Sequence, residues 1–358
     1  MAKAATNELA AQQEGVYSRE YAPSWIDQLT GWVRGLPHRG WWFYVCAAAF
    51  SLALQLGIAW AETGSFEWLR PSIIVGILIP FFLLAIIQYL DDAAAMALAA
   101  FRPALVVSET EYQRLHYRLT TFPALPVLLS TLAGALFGVS VLLFQDREFL
   151  LSVGLIITPN AFLLQAVNYV LSCSIGFVFL YHTFRQLWLV RYIYSVDTRI
   201  NLFDLRPIYA LSGLTARTAI VGLLMANIWK WTIPENELRS EHIVVLLAVF
   251  LIGITSFIWP LWEMHNLLVR EKARQEAELA HRTEAAIAEI KRRMDAGELA
   301  EMEQMKNSME SLTLAHGVLD KVPTWPWQAE TIRAVATALL LPIVLWLVQR
   351  ALDRFVIP

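Results

Sequence analysis

The chain has 358 residues, of which 57% are hydrophobic and only 16% charged, with 14 Trp and a net charge of −3. A soluble core of this length does not absorb so much apolar surface, so the composition excludes a soluble globular domain and points to a bilayer as solvent. Lys and Arg are spread along several loops and form no stripe, which leaves no footprint for nucleic acid.

The first forty or so residues are polar and place Glu8, Glu14, Glu20 and Asp27 ahead of any long apolar run, unlike the basic start and apolar core of a cleaved signal peptide. The first span is therefore expected to remain as an anchor. Just before it, Trp25, Ile26, Leu29, Trp32, Val33 and Leu36 recur at helical spacing. That stripe reads as an amphipathic helix lying on the inner membrane surface, or equally as one packed on the protein's own cytosolic helices.

Uncharged runs of about twenty residues mark the spans. Trp41 to Trp60 is the first, with Trp41, Trp42 and Trp60 at its interfaces, and Ile73 to Leu90 is the second, carrying Pro80. A membrane helix tolerates such a proline when a neighbour satisfies the carbonyl that it releases. Pro123 to Phe144 and Ala161 to Tyr181 are spans three and four; Phe149 to Ile157 between them is too short to cross as a helix and reads as a partly inserted loop or an extension of span four. Span five is uncharged only from Thr218 to Trp229 and must be completed through Arg217 to about Ile208, as a span with an arginine in it or a re-entrant segment. Ile243 to Trp262 and Ile332 to Val348 are spans six and seven.

With the N-terminus in the cytosol, 21 of the 28 Lys and Arg fall on the cytosolic side and six on the other, which fixes the C-terminus outside. Among the cytosolic segments, Ser108 with Glu111 opens a short charged helix running to about Leu119. Asp197 with Arg199 and Asp204 with Arg206 read as local ion pairs. Beyond span six a charged helix runs from Glu263 to Met294, Gly297 stops it, and a second arm runs from Glu298 to about Leu319. The second arm repeats Met302, Met305, Met309, Leu312, His316 and Leu319 at alternating spacings of three and four, the pattern of a packing seam. Val269, Ala273, Ala280, Ile287, Ile290 and Met294 form a thinner stripe on the first arm.

Chemistry-bearing motifs are scarce. Cys46 and Cys173 lie singly in spans, the seven histidines form no metal-type array, and Glu263 with His265 read as solvated interfacial side chains. Leu211-Ser-Gly-Leu214 lacks the flanking glycines of a nucleophile elbow, and no phosphate loop is present. No catalytic, cofactor or metal residue is assigned, and the chain is read as a non-enzyme. What stands out is polarity at membrane depth: Gln55, Gln165, Asn168, Arg217, Asn227 and Arg333, with Asp91 and Asp92 at the cytosolic end of span two. Such amides often bond across helices as packing glue, and such arginines snorkel to an interface.

The reading that emerges is an all-α polytopic membrane helix bundle of about seven spans with cytosolic helical extensions and a helical hairpin. It divides into residues 1–40, a cytosolic N-terminal segment; 41–262, a six-span bundle; 263–322, the hairpin; and 323–358, the last span with an exterior C-terminus. In topology alone this resembles insect odorant-receptor channels. The expected function is a homo-oligomeric channel or solute pathway in the cell membrane. Its alternatives are a membrane-anchored scaffold or sensor whose hairpin binds a cytosolic protein partner, and a permease subunit working with a separate ATPase.

Overall fold

A computed structural model describes residues 20–36, 40–66, 69–152, 155, 159–195, 198–232, 240–297 and 302–356. Among them the chain is helical, with two isolated backbone bridges and no strand. The helices are α1 (Trp25–Arg34), α2 (Trp41–Thr63), α3 (Pro71–Phe101, extended by the 3-10 turn Arg102–Ala104), α4 (Glu109–Thr120), α5 (Ala124–Phe144) and α6 (Arg147–Ser152). They are followed by α7 (Pro159–Ser195), α8 (Arg206–Thr232), α9 (Ser240–Ala296), α10 (Met302–Asp320) and α11 (Ala329–Val356).

Five helices among the described residues are long and apolar enough to cross a membrane: α2, α3 with its extension, α5, α7 and the Arg206–Met225 part of α8. Their outward faces leave Phe50, Leu136 and Leu143 70–71% exposed, a surface that only an apolar solvent accepts. The expected spans six and seven fall within α9 and α11, where part of the side chains lies outside the described residues. Span five is one unbroken helix of 27 residues, about 40 Å long, and not a re-entrant pair. Of the segment Phe149 to Ile157, the first four residues belong to α6 and Leu155 is buried with Leu150 and Val141, while residues 153, 154, 156 and 157 lie outside the described residues.

Loop contacts fix which helix ends lie together. At one end, Arg199 N donates to Ala104 O, joining the loop between α7 and α8 to the C-terminal end of α3, and Ala124 N donates to Ala22 O, joining the start of α5 to the segment before α1. The hairpin of α9 and α10 emerges from this end, where the largest buried cluster unites Leu98, Leu119, Val190, Leu211, Leu261, Leu268 and Leu319. At the opposite end, the Glu62 carboxylate accepts from Asn160 N and Ala161 N, so the last turn of α2 caps the start of α7. Successive long helices therefore run in alternate directions, as crossing helices must.

α5 and α7 approach closely. Gly134 and Gly138 stand four apart on α5, and a methyl group added at Gly134 would sit 2.5 Å from the Cys173 carbonyl oxygen. These glycines let two backbones touch, which replaces the hydrophobic drive that is absent between helices in lipid.

α1 packs against the ends of the spans α3 and α5. Ser24 and Asp27 form a capping box, and Ile26, Thr30 and Val33 are buried while Trp32 is 56% exposed. Ser108 caps α4 through the Glu111 N–H, as its spacing implies.

α9 runs unbroken for 57 residues, about 85 Å, and ends at Gly297, whose φ of 73° only glycine adopts freely. On α10, Met302, Met305, Met309 and Leu312 are half-buried and Leu319 is buried; His316 is exposed and drops out of the seam. The first-arm stripe needs correction. Val269, Ile287 and Met294 are 41–59% exposed, Ala273 and Ala280 are exposed too, and only Ile290 is half-buried. The face turned inward continues the buried positions Phe257, Leu261, Met264 and Leu268 through Gln275, Leu279, Thr283, Ala286 and Ile290. A straight helix holds its register, so packing inside the bundle dictates which face meets α10, even though more apolar residues lie elsewhere.

Candidate functional sites inside the bundle

The first polar cluster begins with a missing N–H. Pro80 lacks the amide proton that would bond the carbonyl of Gly76 one turn earlier on α3. Asn168 of α7 supplies it: its Nδ2 donates to Gly76 O at 2.9 Å. Gln55 of α2 and Gln165 of α7, 2% and 3% exposed, lie beside this bond and with Gly76, Asn168 and Tyr169 line a cavity of about 10 Å³. That volume holds one water molecule at most. Gln55 Nε2 donates to Ser51 Oγ at 2.9 Å, and its buried Oε1 has no partner among the described residues.

Three of the residues singled out for intramembrane polarity thus come together, and three do not. Asn227 turns back on its own helix, with Nδ2 donating to Leu223 O at 2.6 Å. Arg217 is exposed on the side of α8, and Arg333 is exposed near the start of α11. Both positions fit arginines that reach for a polar interface.

A second cluster lies at the end that bears the hairpin. Asp91 of α3 and His182 of α7 are 2% and 1% exposed, with His182 Nε2 2.9 Å from Asp91 Oδ1. No histidine shows a carboxylate partner in the sequence because these two residues are 91 positions apart. One turn further on, Gln186 donates to Leu90 O at 3.3 Å and accepts from Thr218 Oγ1 at 3.3 Å, tying α3, α7 and α8 together. The Phe122 ring lies 4.7 Å from the imidazole.

The N-terminal strap closes over this cluster. Asp27 Oδ2 accepts from Phe122 N at 3.0 Å, and Arg34 pairs with Asp92 at 2.8 Å. Glu20 is held by both arms of the Arg118 guanidinium, which keeps its carboxyl below the usual range. Burial pushes the Tyr21 phenol up to about 12, so it stays neutral while donating to Thr121 O and accepting from Arg185.

Glu263 and His265 stay partly exposed and also make contacts that join elements. Glu263 pairs with Arg191 at 2.6 Å. His265 stacks on Trp325 with centroids 3.9 Å apart, Trp325 stacks on Trp327 at 4.4 Å, and Trp327 lies on Phe257 at 5.6 Å. Lys272 donates to the carbonyls of Asp320 and Val322, closing the C-terminal end of α10. This ladder fastens the base of the hairpin to α9. Of the two repeated acid–base pairs, Arg206 grips Asp204 at 2.8 Å as a local pair, and Asp197 lies outside the described residues.

No family model matches the chain, and no curated protein or solved structure is significantly similar to it.

Proposed function

We propose that the protein is a homo-oligomeric channel or solute pathway of the cell membrane, with seven spans, a cytosolic N-terminus and an exterior C-terminus. The observation that carries this reading is the open face of α11. That helix packs against α8, while Arg333, Thr337, Leu340, Leu341 and Val344 border an open groove of about 340 Å³. Arg333 at the start of the helix reaches for the interface, and Thr337 one turn on sets a hydroxyl on the same face, so a face shared between copies would carry both polar and apolar groups. Around a symmetry axis, copies of this face would enclose a mixed polar and apolar path. The distribution of Lys and Arg supports the orientation, and the lipid bilayer is the obligate surroundings.

The cytosolic hairpin is the assembly layer in this reading. Ile287, Met294, Leu314 and Val318 are 50–71% exposed on the part of α9 and α10 that extends beyond the spans, where water replaces lipid. The same residues favour the second reading, a scaffold that presents the hairpin to a cytosolic protein.

Ion flux through liposomes holding the purified protein tests the choice. Thr337→Trp should lower flux at least several-fold while Phe50→Trp, on the lipid side of α2, leaves it unchanged. Absence of flux, together with a co-purifying protein lost on Ile287→Glu, would give the scaffold reading instead.

A further inference from the structure

Asp91 and His182 form the most deeply buried ionisable pair described, and the backbone does not require it. The carbonyl of Leu90 beside it is served by Gln186, and the Gly76 carbonyl freed by Pro80 is served by Asn168. The imidazole is engaged at one nitrogen only. His182 Nδ1 is buried and has no hydrogen-bond partner among the described residues.

With the imidazole neutral and its Nε2–H donating to Asp91 Oδ1 across 2.9 Å, one proton lies between the two side chains. In that state Nδ1 is a bare lone pair facing apolar surroundings, with the Phe122 and Phe179 rings 4.7 and 6.5 Å away. A second proton taken from water has Nδ1 open to receive it. Its uptake changes the pair from one net negative charge to none, with hydroxide or conjugate base left in solution.

The charges that face the pair come from several elements. α1 contributes Asp27 and Arg34, both of which act on Asp91 electrostatically. Asp92 follows on α3 with its side chain 54% exposed and paired with Arg34, so an accessible charged pair lies one residue from the site at the hairpin end. Arg185 of α7 lies over the Phe122 ring at 5.2 Å, and Tyr44 of α2 donates to Gln88 at 2.7 Å. From α8 the described neighbour is the uncharged Thr218, reached through Gln186.

We propose that Asp91 and His182 form a proton-binding site loaded from the hairpin end of the bundle, giving the protein a response to pH at that face. The site stands whether or not a solute pathway exists.

The test uses the full chain in nanodiscs with nitrogen-15 histidine, followed by NMR from about pH 4 to 9, where ordinary carboxyls and imidazoles change charge. His182 is assigned by its loss in His182→Gln or, should that variant not fold, by the slow exchange of its buried ring proton. The ring should pass in one transition from the singly protonated Nε2–H form to the doubly protonated form. In Asp91→Asn that transition should move by about one pH unit or more. A ring that keeps one protonation state over the whole range, or a transition indifferent to Asp91→Asn, would overturn the proposal.

Discussion

The two polar clusters in the bundle answer different demands. Near the opposite end from the hairpin, Asn168 repairs a defect that Pro80 makes in its neighbour's backbone, and neutral amides suffice. At the hairpin end, an acid and an imidazole are buried together beside the Leu90 carbonyl, which Gln186 already serves. Polarity inside a membrane bundle thus divides into what the fold consumes and what remains for chemistry. The first kind is traced to a particular missing bond; the second is recognised when that accounting closes without it.

The largest effect should come from splitting the ionisable pair. Asp91→Leu leaves the buried His182 Nε2–H without an acceptor and should cost about 3 kcal/mol, the upper end for an unsatisfied buried donor, seen as a lower unfolding temperature in detergent. Adding His182→Leu should recover most of that loss, because two apolar side chains need no mutual solvation. A double variant as unstable as the single one would mean that the pair is a structural requirement after all, and the contrast between the clusters would fail.

A smaller effect belongs to the neutral cluster. Asn168→Ala strands the Gly76 carbonyl and should cost about 1–3 kcal/mol. Pro80→Ala returns the helical N–H, so in that background the same change should cost about 1 kcal/mol less. Equal losses in both backgrounds would show that Asn168 serves something other than the proline gap.

The strap supplies the smallest effect. Glu20→Gln should cost about 0.2–1 kcal/mol, since the pair with Arg118 is partly solvated. Because Arg118 lowers the Glu20 carboxyl below its unfolded value, this contribution is complete above the ordinary carboxylate range. It fades as pH falls through the lowered value. Proteolysis near the N-terminus should therefore quicken in acid in the natural chain, and in Glu20→Gln should be quick already at neutral pH.

Much of the architecture was legible because it is written locally. Uncharged runs mark α2, α3, α5 and α7, Pro80 announces the need that Asn168 meets, and Gly297 stops α9. Ser108 and Glu111 open α4 in the same local way. The spacing of Gly134 and Gly138 in an apolar helix was also readable as a close-packing signal, and passed unread. What stayed hidden depends on distance along the chain. Asp91 and His182 meet only after α3 and α7 pack, and His265 finds Trp325 only when the hairpin folds back. The α9 seam was misread for a related reason: the most apolar residues of its free arm do not share the register that the bundle imposes on Leu261 and Leu268.

The central claim is that copies of this chain surround a shared axis beside α11. Native mass spectrometry of the protein released from nanodiscs measures it directly. The account predicts one closed oligomer of at least three subunits, which Ile287→Glu, Leu314→Glu and Val318→Glu together, on the exposed side of the hairpin, reduce to smaller species without preventing insertion. A natural chain that is monomeric at all concentrations would contradict it.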